Sequence, residues 1–115
     1  MDQPADRRVD ACRALIAERA LVGQHVGFDI CPCPVWDVLL DLYLAHHEQR
    51  PTYLWSLCVA ANIPVSSAHR KINMLVELGL LHRALDTTDA RRVTVTMMPA
   101  VHSIMDELLD SAADL

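Results

Sequence analysis

Two cysteines separated by a single proline, Cys31 and Cys33, are the side chains whose type and spacing most directly suggest chemistry. Cys33 precedes Pro34, which suits the first position of a helix, so the Cys33 thiol is expected near the N-cap of that helix. Unpaired backbone N–H groups and the positive helix end favour a thiolate there, whereas Asp37 opposes it. In an extended segment both thiols project to the same side and could share one metal ion, with His25 as the nearest third ligand.

Three interpretations of this cysteine pair are open: a structural or incidental pair, a redox switch, and a metal-responsive site. Zinc generally takes four protein ligands, or three and a water molecule, and two cysteines do not reach that number. The structural or incidental interpretation is therefore favoured, and no metal site is assigned. Cys12 and Cys58 fall on inward-facing helical positions and are predicted to be small buried residues.

The histidines show no spacing that is typical of a metal site. His46 and His47 are adjacent at the predicted end of a helix, so their rings should diverge and interact with the helix dipole. His25, His82 and His102 stand alone in the sequence. No cofactor is predicted, and no nucleophile, base and orienting group fall into an arrangement typical of an enzyme.

Composition bounds the class of protein. The 115 residues are enough for one domain with a modest core, and the formal net charge is −5. Charged residues interrupt every apolar stretch well short of a membrane span, and the N-terminal residues resemble an amphipathic helix and not a signal peptide. The four cysteines do not form a disulfide framework. We therefore expect a cytoplasmic protein with reduced thiols and no membrane partner.

The charge is unevenly distributed along the chain. From Pro64 to Pro99 there are five basic and three acidic residues, a local charge of +2, so the remainder carries −7. The basic residues of this segment are Arg70, Lys71, Arg83, Arg91 and Arg92. A locally basic segment on an acidic body is typical of a modest DNA-binding domain.

Hydrophobic periodicity predicts an α+β fold, mostly α, in a single domain over residues 1–115. The predicted helices are, in chain order, 5–22, one that begins at 34, a brief one within "WSLCVAAN", one that begins at 64, and 99–114. Gly23 is predicted to end the first helix and Pro51 forces the end of the second. The segments "LLHRAL" and "RRVTVTMM" have the alternation of strands, and "DTTDA" between them is rich in turn residues.

Short helices followed by a two-stranded hairpin are the pattern of a winged helix-turn-helix, here over residues 34–98, with one further helix at each end. In this unit a short helix, a tight turn and a second helix present the exposed side of the second helix to the major groove. The hairpin, or wing, can place a basic tip on the phosphates or in the minor groove. Double-stranded DNA is therefore the expected partner.

The stretch "SSAHRKINMLVELGLLHRALDTTDARRVTVT" resembles the recognition helix and wing of MarR-type transcriptional regulators. The matching positions are Ser66, Ser67, Leu75, Gly79, Leu80, Asp89 and Arg91. The resemblance covers about residues 34 to 98. It implies a DNA-binding repressor that acts as a homodimer, paired through its terminal helices, on a palindromic site.

Candidate DNA contacts follow from the polar face of the predicted recognition helix and from the wing. Arg70 can donate two hydrogen bonds to a guanine edge, and Asn73 can pair with adenine. On the wing, Asp89 is expected to pair with Arg91 so that the Arg91 guanidinium points at DNA. The full predicted set is Ser66, Ser67, His69, Arg70, Lys71, Asn73, Arg91 and Arg92, with Lys71 and Arg92 as phosphate contacts.

Two other functions remain open. One is a thiol- or metal-responsive repressor, in which Cys31 and Cys33 shift the second helix and so the spacing of the recognition helices. The other is a winged-helix module that binds protein and not DNA, which the overall acidity favours slightly. The operator and the effector are not predicted.

Overall fold

Five helices and one β-hairpin make up the fold. The computed structural model describes residues 3–114, so the predicted domain limits at residues 1 and 115 lie outside it. In chain order the elements are α1 (Pro4–Val26), α2 (Pro34–His47), α3 (Leu54–Ala60), α4 (Val65–Glu77), β1 (Leu81–Leu85), β2 (Val93–Met97) and α5 (Pro99–Ala113). The predicted α+β, mostly helical class is confirmed. Within the described residues, no helix is long and apolar enough to cross a membrane.

Proline residues fix where helices begin. Pro34 and Pro99 occupy the first turns of α2 and α5, as predicted, because a proline there loses no helical hydrogen bond and has a helical φ. Pro64 is the N-cap of α4. Asn62 follows α3 in the left-handed conformation, with a φ of 58°.

The predicted end of α1 is wrong. The helix continues through Gly23 to Val26, and Gly27 ends it with a φ of 110°. Gly23 has a packing role instead, because a Cβ at this position would lie 2.0 Å from a ring carbon of Phe28. The missing side chain lets the loop after α1 fold back onto the helix.

The α2 helix contributes to two apolar clusters. Val38 and Leu42 belong to one cluster, which α3, α4 and the hairpin complete. Leu40 and Tyr43 belong to the other, which lies between α2, α1 and α5. A helix that is apolar on several sides is central in a fold. Here α2 joins the α3–α4–hairpin unit to the pair of terminal helices.

Cys12 and Cys58 are buried in these two clusters, as predicted. The Cys12 thiol donates to the Leu40 carbonyl oxygen at 3.3 Å. Burial raises the pKa of Cys12 to about 11, so this thiol stays protonated.

A buried ion pair connects α1, α2 and the turn after α3. Arg19 donates to both carboxylate oxygens of Asp37, at 2.8 and 3.1 Å. The side chain of Asp37 is only 4% exposed, and it also accepts from the Asn62 amide at 3.0 Å. Hydrogen bonding to Asp37 raises the pKa of Arg19. These three hydrogen bonds give the buried carboxylate the polar partners that it requires.

Candidate nucleic-acid interface

After the exposed Val65, the outer face of α4 is polar over its first two turns. Ala68, Ile72 and Leu75 are buried and hold the opposite face against the core. Of the predicted contacts on this helix, Ser66, Arg70 and Lys71 are exposed, and Ser67, His69 and Asn73 are half-buried. The separation of an apolar face from a polar face on α4 is what the sequence predicted.

Arg70 lies at the centre of this face. Ser66 and Asn73 are one turn away from it on either side, which is the spacing of side chains that share one helix face. Met74 and Glu77, which the sequence analysis did not weigh, are exposed on the same side near the C-terminal end of α4. The basic part of the face is thus confined to the N-terminal half of the helix.

Asn73 is held by a residue that the sequence analysis did not place in the site. Its side-chain oxygen accepts a hydrogen bond from Arg83 on β1. A bidentate contact with adenine needs both the oxygen and the amide nitrogen of an asparagine. The predicted adenine contact of Asn73 therefore requires release of Arg83, which otherwise ties α4 to the hairpin.

Side chains order the loop between the strands of the hairpin. Leu85 pairs with Val93 at the end of the antiparallel register. Asp86 accepts from both the backbone N–H and the hydroxyl of Thr88, each at 3.0 Å. The Arg92 N–H donates to the Asp89 carbonyl oxygen at 3.0 Å. The turn residues seen in "DTTDA" form a structured tip.

Asp89 and Arg91 are in contact at this tip. The Asp89 carboxylate accepts from the backbone N–H of Arg91 at 3.0 Å and from its guanidinium at 3.1 and 3.3 Å. These bonds lower the pKa of Asp89, so the carboxylate stays charged. The Arg91 side chain is nevertheless 91% exposed. Two of its five N–H donors are used within the loop, and three remain for a ligand.

Arg92 is held differently from Arg91. Its guanidinium lies over the ring of Tyr53, 5.1 Å from the centroid, and donates to the Tyr53 hydroxyl at 3.3 Å. Tyr53 itself forms an isolated bridge with Thr94 on β2. Arg92 therefore contacts the segment before α3, and a phosphate contact would have to compete with the tyrosine.

The structure brings the predicted DNA-binding residues into two groups, one on α4 and one at the hairpin tip. Within residues 3–114, no hydrogen bond or ion pair joins the tip directly to α4. The bond between Asn73 and Arg83 connects the helix to the hairpin lower on β1. The groups are thus presented by two elements of one core, as separate contact regions.

The cysteine pair lies away from both groups. Cys31 and Cys33 are exposed free thiols, and Cys33 is the N-cap of α2, as predicted. The Cys31 carbonyl oxygen accepts from Arg19 at 3.1 Å. Among residues 3–114, His25 does not join the two thiols in a group of three metal ligands. The expected third ligand is therefore not in place.

His102, which stands alone in the sequence, meets the adjacent His46 and His47 between α5 and the end of α2. The ring centroids of His46 and His102 are 4.6 Å apart, and those of His47 and His102 are 5.4 Å apart. Asp106 lies one turn after His102 on α5. Burial, and then the neighbouring His102 and His46, lower the pKa of His47. The i, i+4 spacing of His102 and Asp106 was the only local signal of this cluster.

No family model matches the chain, and no curated protein is significantly similar to it. The function must therefore be inferred from the fold and its surface.

Proposed function

We propose that the chain is a sequence-specific DNA-binding transcriptional regulator of the winged helix-turn-helix type, resembling small MarR-type repressors. In this proposal α3 and α4 form the helix-turn-helix, α4 enters the major groove, and the β1–β2 hairpin is the wing. The wing tip lies on phosphates or in the minor groove, because an arginine such as Arg91 can bind either one. The protein acts as a homodimer on a palindromic site.

One observation carries the proposal. A helix with a polar and basic outer face is followed directly by a hairpin whose ordered tip holds out Arg91, which is 91% exposed. An arginine that is fixed by Asp89 loses less side-chain entropy on binding than a free one. The same two elements, in the same order, form the contact surface of winged helix-turn-helix proteins.

Binding to a labelled random-sequence DNA duplex tests the proposal. We expect the affinity to fall steeply with salt, because Lys and Arg side chains that neutralise phosphates release counterions. Arg91→Ala should weaken binding and reduce the slope of log K against log salt by about 1 for each protomer bound. Fluorescence anisotropy over a series of salt concentrations measures both quantities.

Arg7→Ala is the matched control, since Arg7 is an exposed arginine on α1 and its loss changes the net charge equally. It should leave the salt slope unaltered. If the wild-type protein does not bind duplex DNA even at low salt, the proposal is wrong and a protein-interaction module becomes the better explanation. If Arg91→Ala and Arg7→Ala change the affinity and the salt slope equally, Arg91 contributes only its charge and makes no direct contact with DNA.

The proposed dimer has a candidate surface on α5. Ile104 and Leu108 are 52% and 46% exposed and lie one turn apart, whereas Val101, Met105 and Leu109 are buried against the rest of the chain. Adjacent exposed apolar side chains on one helix face indicate an interaction site more strongly than isolated ones do. This surface could pack against a second copy of α5 across a twofold axis.

Ile104→Glu combined with Leu108→Glu should weaken dimerisation by at least about 100-fold, because two carboxylates from each protomer would be buried in the interface. The fold itself should persist, since both side chains are exposed in the single chain. Sedimentation equilibrium measures the dimer constant, and circular dichroism checks the fold. Leu85→Glu, a similar change on the hairpin, is the control. A double variant that dimerises like the wild type would exclude this surface.

A further inference from the structure

The junction between α2 and α5 holds three side chains with metal-binding groups that face one another. One ligand atom each from His47, His102 and Asp106 lies within 4.8 Å of the other two. His102 Nδ1 and the Asp106 carboxylate are 3.6 Å apart on successive turns of α5. We propose that these three residues form a binding site for a divalent transition metal, with Zn²⁺ as the natural candidate.

The distances fit such an ion with a small adjustment. Zinc binds imidazole nitrogen and carboxylate oxygen at about 2.0–2.2 Å, so tetrahedral ligands lie about 3.4 Å apart. The His102–Asp106 pair is already near this separation, at 3.6 Å. His47 belongs to the last turn of α2, and its ligand nitrogen, which lies within 4.8 Å of the other two ligand atoms, would move closer on binding.

Two nitrogens in this cluster lack an internal partner. Nε2 of His47 and Nε2 of His102 are buried, and neither has a hydrogen-bond partner within residues 3–114. A buried polar atom without a partner costs free energy, and such atoms call for an explanation in a folded protein. Coordination of a metal ion through Nε2 of His47 would remove this cost at that residue, whereas His102 would bind the ion through Nδ1, which faces Asp106.

The carboxylate of Asp106 is oriented for the role. The buried Tyr43 hydroxyl donates to Asp106 Oδ1 at 2.6 Å, which leaves Oδ2 on the side of His102. Hydrogen bonds of this kind hold metal-binding carboxylates in place. Arg8 lies 3.8 Å from Asp106 but makes its closer contacts with Asp110, at 2.7 and 2.9 Å. It therefore keeps a partner when Asp106 binds a cation.

An ion could reach the site from solvent. His102 and His46 line a cleft of about 720 Å³ between α2, β2 and α5, and His47 lines another cleft of about 360 Å³ beside α1. A water molecule entering by either cleft would supply the fourth ligand. Two imidazoles and one carboxylate suit zinc and its neighbours, whereas Mg²⁺ and Ca²⁺ prefer oxygen ligands.

The inference stands apart from DNA binding and from the cysteine pair. A metal ion here would tie α2, which holds the α3–α4–hairpin unit, to α5. Its test requires no DNA, so failure of either proposal leaves the other intact.

Titration of the metal-free, reduced 115-residue chain with Co²⁺ is the direct test, since Co²⁺ reports its ligands by visible absorption. We expect one ion per chain in a site of nitrogen and oxygen ligands, which Zn²⁺ displaces. His102→Gln and Asp106→Asn should each abolish this binding. His25→Gln, at an exposed histidine of α1, and the pair Cys31→Ser with Cys33→Ser should retain it.

Two further measurements guard against a variant that fails to fold. Tyr43→Phe keeps all three ligands and removes only the hydroxyl, and it should weaken Zn²⁺ binding by about 10- to 100-fold. Zn²⁺ should also raise the melting temperature of the wild type, because it binds only the folded chain. The proposal is overturned if the wild type binds no Co²⁺, if His102→Gln and Asp106→Asn bind it normally, or if binding is lost with the two cysteines.

Discussion

Asp37→Ala is expected to lower the free energy of unfolding by about 3 kcal/mol. Removing one member of a buried ion pair typically costs about 3–5 kcal/mol, because the remaining charge is left buried without a partner. The value should fall at the lower end of this range, since the Arg19 side chain is 14% exposed to water and keeps its hydrogen bond to the Cys31 carbonyl oxygen. The Asn62 amide would lose one of its two acceptors as well, and would keep the Ala60 carbonyl oxygen. Urea denaturation followed by circular dichroism measures the change.

Asp41→Ala provides the matched control, because Asp41 lies one turn later on α2. Asp41 is partly exposed, and its nearest cation is a guanidinium nitrogen of Arg50 at 3.7 Å. Exposed ion pairs contribute at most about 1 kcal/mol, so the control should stay within that limit. The loss of free energy of unfolding in Asp37→Asn should lie between those of Asp37→Ala and Asp41→Ala, since the asparagine keeps an acceptor for Asn62. If Asp37→Ala costs no more than Asp41→Ala, the ion pair does not hold α1 to α2.

Local chemistry explains which parts of the fold could be predicted. Pro34 and Pro99 mark helix starts, and the alternation of apolar and polar residues in "RRVTVTMM" marks a strand. These signals act between residues a few positions apart, so the sequence contains them directly. The polar face of α4 follows from the same kind of periodicity.

The parts that were missed depend on contacts between distant segments. Gly23 resembles a helix end, but the packing of Phe28 against it gives it another role. No local rule marks the charged Asp37 of α2 as a buried residue. Arg19 contacts it only because α1 packs against α2. His47 and His102 meet because α2 and α5 pack together. No periodicity within a single helix could have shown these pairs.

The candidate interface shows the same division. The contact between Asp89 and Arg91 was predictable because it spans two residues of one turn. The contacts of Asn73 with Arg83 and of Arg92 with Tyr53 cross from one element to another, and the sequence did not reveal them. The first contact occupies the acceptor oxygen of Asn73 and the second occupies a donor of Arg92, so fewer of the groups expected to face DNA are free than the sequence suggested.

Arg70→Ala is expected to weaken binding to the preferred DNA sequence by about 10- to 100-fold, because a bidentate contact with guanine supplies discrimination as well as affinity. Arg70 is exposed at the centre of the α4 face, and no hydrogen bond or ion pair holds its side chain within residues 3–114. The preferred sequence must first be obtained by selection from a random DNA pool. Affinities for that sequence and for single-base variants are then compared at one fixed salt concentration.

Lys71→Ala is the matched comparison, because it removes an adjacent positive charge from the same helix. Lys71 lies farther round α4, toward the flank of the polar face, where a phosphate contact is the expected role. Its loss should weaken binding to all sequences alike and lower the salt slope by about 1. Arg70→Ala should instead relax the preference at one base position of each half-site. If the two variants lower affinity equally for every sequence, α4 contacts only the backbone, and base recognition must come from another element.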